Sequence, residues 1–403
     1  MIKLESQYIT QVDDKSRLNF DYTVDGVKST LWFEVDREYE QYLCTERCDA
    51  FEIGALPFAL KNNHDIISNT PITEELSYKL NVNLIPTLCK FDKHIFNIKV
   101  KATQTSEKLP NAGAYGTGVS GGIDSFHSIL NGCNSDFEDM RLTHLCIFNV
   151  GSFGGNQRYR GDIREAVIER GKLIANEFNL PLIIANSNFA DLFPSTHEYT
   201  HDFNSIFAIC CLQKLWKAYY YASSNTDINV FSILNSSRND SDEYALLLYY
   251  CFNNYNLNII SEGLSCNRLE KTAVVANSPI AQKYLHVCVH KKNNCGKCSK
   301  CMRTILSLDA LGKLEDFSNV FDVEYYKKNK YKYYWFLFEK HYRKDPMMEP
   351  IYEAMKRKIP LHEFLFYKIA VALKHFIYDE TYPERKKYIK IRVLGISIKL
   401  KKK

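Results

Sequence analysis

Apolar residues recur with two different periods along this chain, and the change of period divides it. Short alternating runs come first: "RLNFDYTV" and "STLWFEV" flank Asp25-Gly26, a dipeptide that suits a tight hairpin between two strands. Apolar positions three and four apart then predict helices near 46–60 and 73–90, and "HIFNIKVKAT" (94–103) reads as a strand. Residues 1–110 thus have the pattern of a small α+β domain. It ends in "QTSEKLPNAG" (104–113), a polar joint with Pro and Gly, where we place a boundary.

From 114 onward strands and helices alternate. "AYGTGVS", "LTHLCIFNV" (142–150), "LPLIIANSN" (180–188), "INVFSILNSS" (228–237) and "LNIISEG" (257–263) are apolar runs of strand length. Helical spacing appears in "DIREAVIERGKLIANEF" (162–178) and "DFNSIFAICCLQKLWKAYYYASS" (202–224). Repeated βα units predict an α/β fold with a doubly wound parallel sheet over 114–312, whose ligand crevice lies beyond the carboxyl ends of its strands. Residues 323–384 turn helical and aromatic, with "FLFYKIAVALKHFIY" (364–378) reading as a buried amphipathic helix, and 385–403 form a tail.

Composition refines this. The chain has 403 residues, 45% of them hydrophobic, which is enough for two or three cores. Its start, "MIKLESQYITQVDD", lacks the basic and apolar segments of a signal peptide, and no apolar run reaches the ~18 residues of a membrane span. A cytoplasmic, reducing location is expected, and the thirteen cysteines point to metal where they cluster. Net charge is +5, yet 385–403 holds nine Lys or Arg and no acid, leaving about −4 elsewhere. The body is therefore not expected to bind nucleic acid. The tail alternates apolar and basic residues, "YIKIRVLGISIKL", as in a β-hairpin or a strand lying on an acidic surface, unless it is a solvated end, and its charge would draw it weakly to an acidic membrane.

The chemistry-bearing stretch is "AYGTGVSGGIDSFHSIL" (114–130). No lysine follows its last glycine, since Ile123 and Asp124 come next, so it is not the common nucleotide loop. A strand, a Ser-Gly-Gly turn and a helix beginning near Asp124 would aim backbone amides at one anion, with the helix dipole adding attraction. Ser120, Gly121, Gly122 and Ser125 would hold phosphate, and Asp124 would hold a bridging Mg²⁺. The same residues also suit a plain turn in which Asp124 and Ser125 cap the helix.

Near the other end, Cys288, Cys295, Cys298 and Cys301 are spaced C-x6-C-x2-C-x2-C within a lobe over 286–303. Four thiolates with no open position describe a structural zinc site, or an iron–sulfur cluster with the same ligands. His286 and His290 are bystanders on this count. Around the expected crevice, Arg238 would contact phosphate, and Asp240, Asp242 and Glu243 would hold Mg²⁺ or an amine, unless Asn239, Asp240 and Ser241 simply cap a helix. Arg158 and Arg160 in "NVGSFGGNQRYR" (149–160) are further anion ligands. "HEYTH" (197–201) has the H-E-x-x-H form of zinc proteases, but Pro194 makes it a helix entrance and Ser195 with Glu198 forms a capping box, which disfavours a protease.

The residues "SGGIDS" (120–125) resemble the signature of the PP-loop ATP pyrophosphatases, a branch of the adenine nucleotide α-hydrolases. The resemblance implies ATP cleavage between the α and β phosphates, transfer of AMP to a carboxylate, amide or carbonyl oxygen, and displacement of AMP by a nitrogen nucleophile, with sulfur as a variant. It also implies ATP, Mg²⁺ and Zn²⁺ as cofactors. The cysteine run, preceded by "LEKTAVVANSPI" (269–280), is similar to that of the 7-cyano-7-deazaguanine synthases, and Lys271 loosely matches a lysine of that region. The likeness covers 114–312, with 1–110 and 323–403 outside it. It implies an AMP-forming ligase or amidotransferase with Asp124, Ser125, Arg238 and Lys271 as catalytic residues. The substrate would be a small molecule, glycan or peptide, and ammonia would come from solution or from a separate protein. A sulfur-transfer variant would need a reactive thiol, for which Cys210, Cys211 and Cys266 are the candidates. The alternative is a module that binds ATP without turnover.

Overall fold

The computed structural model describes residues 1–151, 161–195, 197–224, 241–381, 388–393 and 396–401. Contacts divide the chain into two units, Met1–Ser265 and Cys266–Lys403.

In the first unit, β1 (Ile2–Val12), β2 (Lys15–Val24) and β3 (Val27–Asp36) form an antiparallel meander. Leu18, Phe20 and Tyr22 alternate with Leu31, Phe33 and Val35 as buried positions, the two-residue period of a half-buried sheet. The turn between β2 and β3 is made at Asp25 and Gly26, both at positive φ, as the Asp-Gly pair predicts. Helix α1 (Asp49–Asn62) is buried on nearly every side, and Gly54 lets it approach the helix at His197–Cys211 closely. A methyl there would sit 2.8 Å from the Phe189 ring and 3.1 Å from that of Phe207. Strands β4 (Ile66–Ser68) and β5 (Ile72–Thr73) follow. Then α2 (Glu74–Tyr78), a π-helical stretch (Lys79–Leu84) and α3 (Ile85–Phe91) run on as one segment.

The strand expected at 94–103 shrinks to β6 (Val100–Lys101), with β7 (Gln104–Thr105) just after. Beside this strand the Asn81 side chain accepts from the Val100 amide (3.0 Å) and donates to its carbonyl (2.9 Å). The side chain thereby satisfies an edge that would otherwise invite another strand.

The remaining strands are β8 (Ala114–Gly118), β9 (His144–Asn149), β10 (Leu182–Ser187), β11 (Trp216–Ala222) and β12 (Asn258–Glu262). Between them lie α4 (Ile123–Cys133), α5 (Gly161–Phe178), α6 (Phe189–Leu192), α7 (His197–Cys211) and α8 (Ala245–Phe252). Together they complete an α/β fold around one ten-stranded, mostly parallel sheet in the order β12-β11-β8-β9-β10-β3-β2-β1-β4-β6. The sheet runs without a break across residues 104–113, because β10 pairs antiparallel with β3 through Asn186 opposite Glu34. Asn188 strengthens that seam, accepting from Trp32 N (2.8 Å) and donating to the Thr30 carbonyl (2.9 Å).

One expectation needs correcting. Residues 202–224 do not form a single helix: α7 stops at Cys211 and β11 takes up Trp216–Ala222. "WKAYYYA" is rich in Trp and Tyr, which suit a pleated surface, and here they pack against Gly116 of the neighbouring strand. The strand expected at 228–237 lies outside the described residues.

The second unit contains α9 (Arg268–Ala276), α10 (Pro279–Tyr284), α11 (Ser299–Ala310), α12 (Val323–Lys328), α13 (Lys330–Tyr342), α14 (Glu349–Lys356) and α15 (Leu361–Ile377). A three-stranded sheet of β13 (Tyr378–Thr381), β14 (Tyr388–Val393) and β15 (Ile396–Lys401) ends it, with β14 and β15 forming the hairpin that the tail's alternation predicts. Its core joins Ile305 and Leu308 of α11 to Tyr333 and Leu337 of α13 and Ile351 and Met355 of α14. Helix α15, expected as a buried amphipathic helix, buries Tyr367 and Val371 on one side, while its opposite face, also apolar, is open. No helix among the described residues is long and apolar enough to cross a membrane.

Candidate functional site

The parallel half of the sheet reads β10-β9-β8-β11-β12, so the chain steps outward from β8 to β10 and then crosses to the other side of β8. In open α/β sheets the crevice at such a reversal, at the carboxyl ends of the strands, is where ligands bind. The glycine loop leaves β8 at that point. Thr117 lies opposite Tyr220 of β11 and donates its hydroxyl to the Tyr220 carbonyl at 2.7 Å, so both strands end at the same edge.

Local chemistry explains the loop's shape. Gly121 sits at φ +77°, a left-handed conformation open to glycine and strained for other residues. Gly122 is extended and caps α4, whose first intrahelical bond runs from Phe126 N to the Gly122 carbonyl at 2.9 Å. The amides of Ile123, Asp124 and Ser125 precede that bond, the position at which helix amides serve an anion. Ser125 is buried: its hydroxyl donates to the Gly118 carbonyl (2.7 Å) and accepts from Ser120 N (3.1 Å). It therefore braces the loop from inside. Ser120 is exposed at the tip, its hydroxyl 3.4 Å from Gly122 N, and Asp124 is half-buried on the first turn of α4. Farther along that helix, Asn131 donates to Glu262 at the end of β12 (2.9 Å).

A second set of groups lies at the end of β11. His201 of α7 stands 3.4 Å from Asp202 through Nδ1 and 3.6 Å from Asp242 through Nε2. Ser224, two residues beyond β11, donates to Asp242, and Tyr249 donates to Asp202 at 3.0 Å. Asp202 is fully buried, and burial together with its charge pushes the phenols of Tyr221 and Tyr249 well up, keeping both as protonated donors. One donor atom from each of His201, Asp202 and Asp242 falls within 4.8 Å of the others, close enough to share one cation.

Sequence reading reached His201 and Asp242 but missed Asp202, whose position directly after the HEYTH stretch was the available signal. Helix α7 begins at His197, as a helix entrance should, while the side chains of His197, Glu198 and Glu243 lie outside the described residues. Arg158, Arg160, Arg238, Asn239 and Asp240 lie outside them as well. Cys210 and Cys211 are completely buried and burial pushes their thiols well up, which disqualifies both as the reactive cysteine of a sulfur-transfer route.

In the second unit the four cysteines converge, with one sulfur from each of Cys288, Cys295, Cys298 and Cys301 inside 4.8 Å, so they could hold a metal. The chain turns at Gly296 (φ +66°), and the amides of Lys297 (3.4 Å) and Cys298 (3.3 Å) both donate to Cys295 sulfur. Burial works to raise the Cys295 thiol, but these amides and the neighbouring thiols outweigh it and bring it down to about 7. Cys301 is buried in the first turn of α11. Two anchors fix the loop: Tyr333 of α13 donates to the Gly296 carbonyl (2.7 Å), and Asn294 donates to the carbonyls of Leu285 (2.9 Å) and Val320 (3.1 Å). His286 is turned to the Lys291 carbonyl at 3.0 Å and His290 is exposed. Lys271 of α9, which could have been a solvated lysine, is instead buried at 2% exposure. Among family models, characterised proteins and solved structures, none matches this chain.

Proposed function

We propose that this protein is an ATP-dependent, AMP-forming enzyme of PP-loop type. A carboxylate or carbonyl oxygen of its substrate attacks the α-phosphorus of ATP. The bond to the β-phosphate breaks and pyrophosphate leaves. A nitrogen nucleophile then attacks the activated carbon and AMP departs. The observation that carries this reading is the glycine loop at the point where the strand order reverses, with Gly121 in a left-handed turn and α4 starting at once behind it.

In this reading the backbone from Ser120 to Ser125 holds the leaving pyrophosphate, because fixed amides stabilise charge that builds during bond cleavage. Mg²⁺, held by Asp124, neutralises the same charge, and His201, Asp202 and Asp242 offer a further cation position at the adjacent strand end. The four cysteines hold Zn²⁺ as a structural ion, a set with no position left for substrate. Arg238 completes the proposed catalytic set, gripping phosphate. The substrate is a small molecule, glycan or peptide, and ammonia comes from solution or a separate protein.

The test is product identity. Protein incubated with ATP, Mg²⁺, ammonium and a metabolite extract is expected to yield AMP and pyrophosphate, resolved by ³¹P NMR. ADP and phosphate would overturn the proposal, and ATP binding without either product pair would favour the non-catalytic alternative.

A further inference from the structure

We infer that the exposed apolar face of helix α15 is a docking surface for an anionic lipid bilayer, with the positive charge of the chain's last residues adding attraction. Leu361, Leu365, Phe366, Ile369, Leu373 and Phe376 are all exposed, by 47 to 72%. At 3.6 residues per turn these six positions fall within an arc of roughly 140°. The opposite side of the helix is committed to the unit's core. Tyr367 meets Tyr334 edge-on with ring centres 5.8 Å apart, Phe364 meets Phe338 at 5.1 Å, and Lys374 pairs with Glu339 at 2.9 Å. The helix is therefore held with its apolar stripe facing outward.

A stripe of this kind on a water-facing helix needs an occupant. Charge identifies it: beyond α15 and a short segment holding Asp379, Glu380 and Glu384, residues 385–403 contribute nine Lys or Arg and no acid, so the stretch after the helix is still strongly basic. Apolar side chains that enter the headgroup boundary, beside a cluster of cations that attract anionic headgroups, are the two signals that together give stable surface attachment. At 17 residues and with Glu363, Lys368 and Lys374 along it, α15 lies on a bilayer and does not cross one. The surface would leave the glycine loop's chemistry unaltered and set where the protein works.

The protein should co-sediment with vesicles containing one third phosphatidylglycerol at least about tenfold more tightly than with pure phosphatidylcholine vesicles, and raising salt should weaken this. The triple variant Leu365→Ser, Ile369→Ser, Leu373→Ser, checked for unchanged circular dichroism, should lose binding by tenfold or more. Undiminished binding by that variant, or equal binding to both vesicle types, would overturn the inference. So would a wild-type dimer in sedimentation velocity that ignores vesicles and dissociates in the variant, because the stripe would then join two copies of this chain.

Discussion

Cys301→Ser is expected to abolish metal binding and lower the melting temperature of the second unit. Wild-type protein should carry one zinc per chain by elemental analysis, and the variant well under a fifth of that. The size of the effect follows from where the residue sits. Cys301 is fully buried in the first turn of α11, the helix whose Ile305 and Leu308 reach the core shared with α13 and α14. Structural zinc contributes about 10 kcal/mol or more to small metal-folded domains. This unit also has its own apolar core, so part of its stability survives and a drop in melting temperature of 10 °C or more is the expected result. Cys295→Ser, at a half-exposed position, should behave alike, and chelation followed by zinc addition should reverse the loss in wild type. If the variants keep full melting temperature and metal content, the four sulfurs are not the ligands. Brown colour with visible absorption would replace zinc with an iron–sulfur cluster.

Asp124→Asn is expected to lower AMP formation by about 10²- to 10³-fold with little change in melting temperature. Asp124 is half-buried on the first turn of α4, and asparagine keeps its size and shape there. Only the charge that would engage Mg²⁺ is removed, so the loss should appear mainly in kcat. Gly121→Ala makes a contrasting change. A Cβ at φ +77° costs about 1–2 kcal/mol, so the loop must relax and nucleotide affinity should fall. Full turnover by Asp124→Asn would show that this carboxylate holds no catalytic cation.

What the sequence made legible was local. The Asp25-Gly26 hairpin, the strand-loop-helix around Ser120–Ser125 and the tail hairpin each depend on residues close together in the chain, and each is found where the pattern places it. The clustered cysteines were legible for the same reason, because their short spacing limits how far apart they can lie. What was hidden is non-local. Nothing in "IIANS" announces that β10 pairs with β3, about 150 residues earlier, and makes the N-terminal meander continuous with the parallel strands. Asp202 reads as a solvated residue near a helix start until Tyr249, 47 positions on, donates to it in the core. Periodicity also could not say which side of α15 is covered, since apolar residues occur on both its faces.

The glycine loop is expected to cradle a diphosphate. The most direct test is the crystal structure of the protein with α,β-methylene-ATP and Mg²⁺. The β and γ phosphates should lie within hydrogen-bond reach of the main-chain amides between Gly121 and Ser125. Phosphates bound elsewhere on the molecule, with that turn closed around its own hydroxyls, would contradict it.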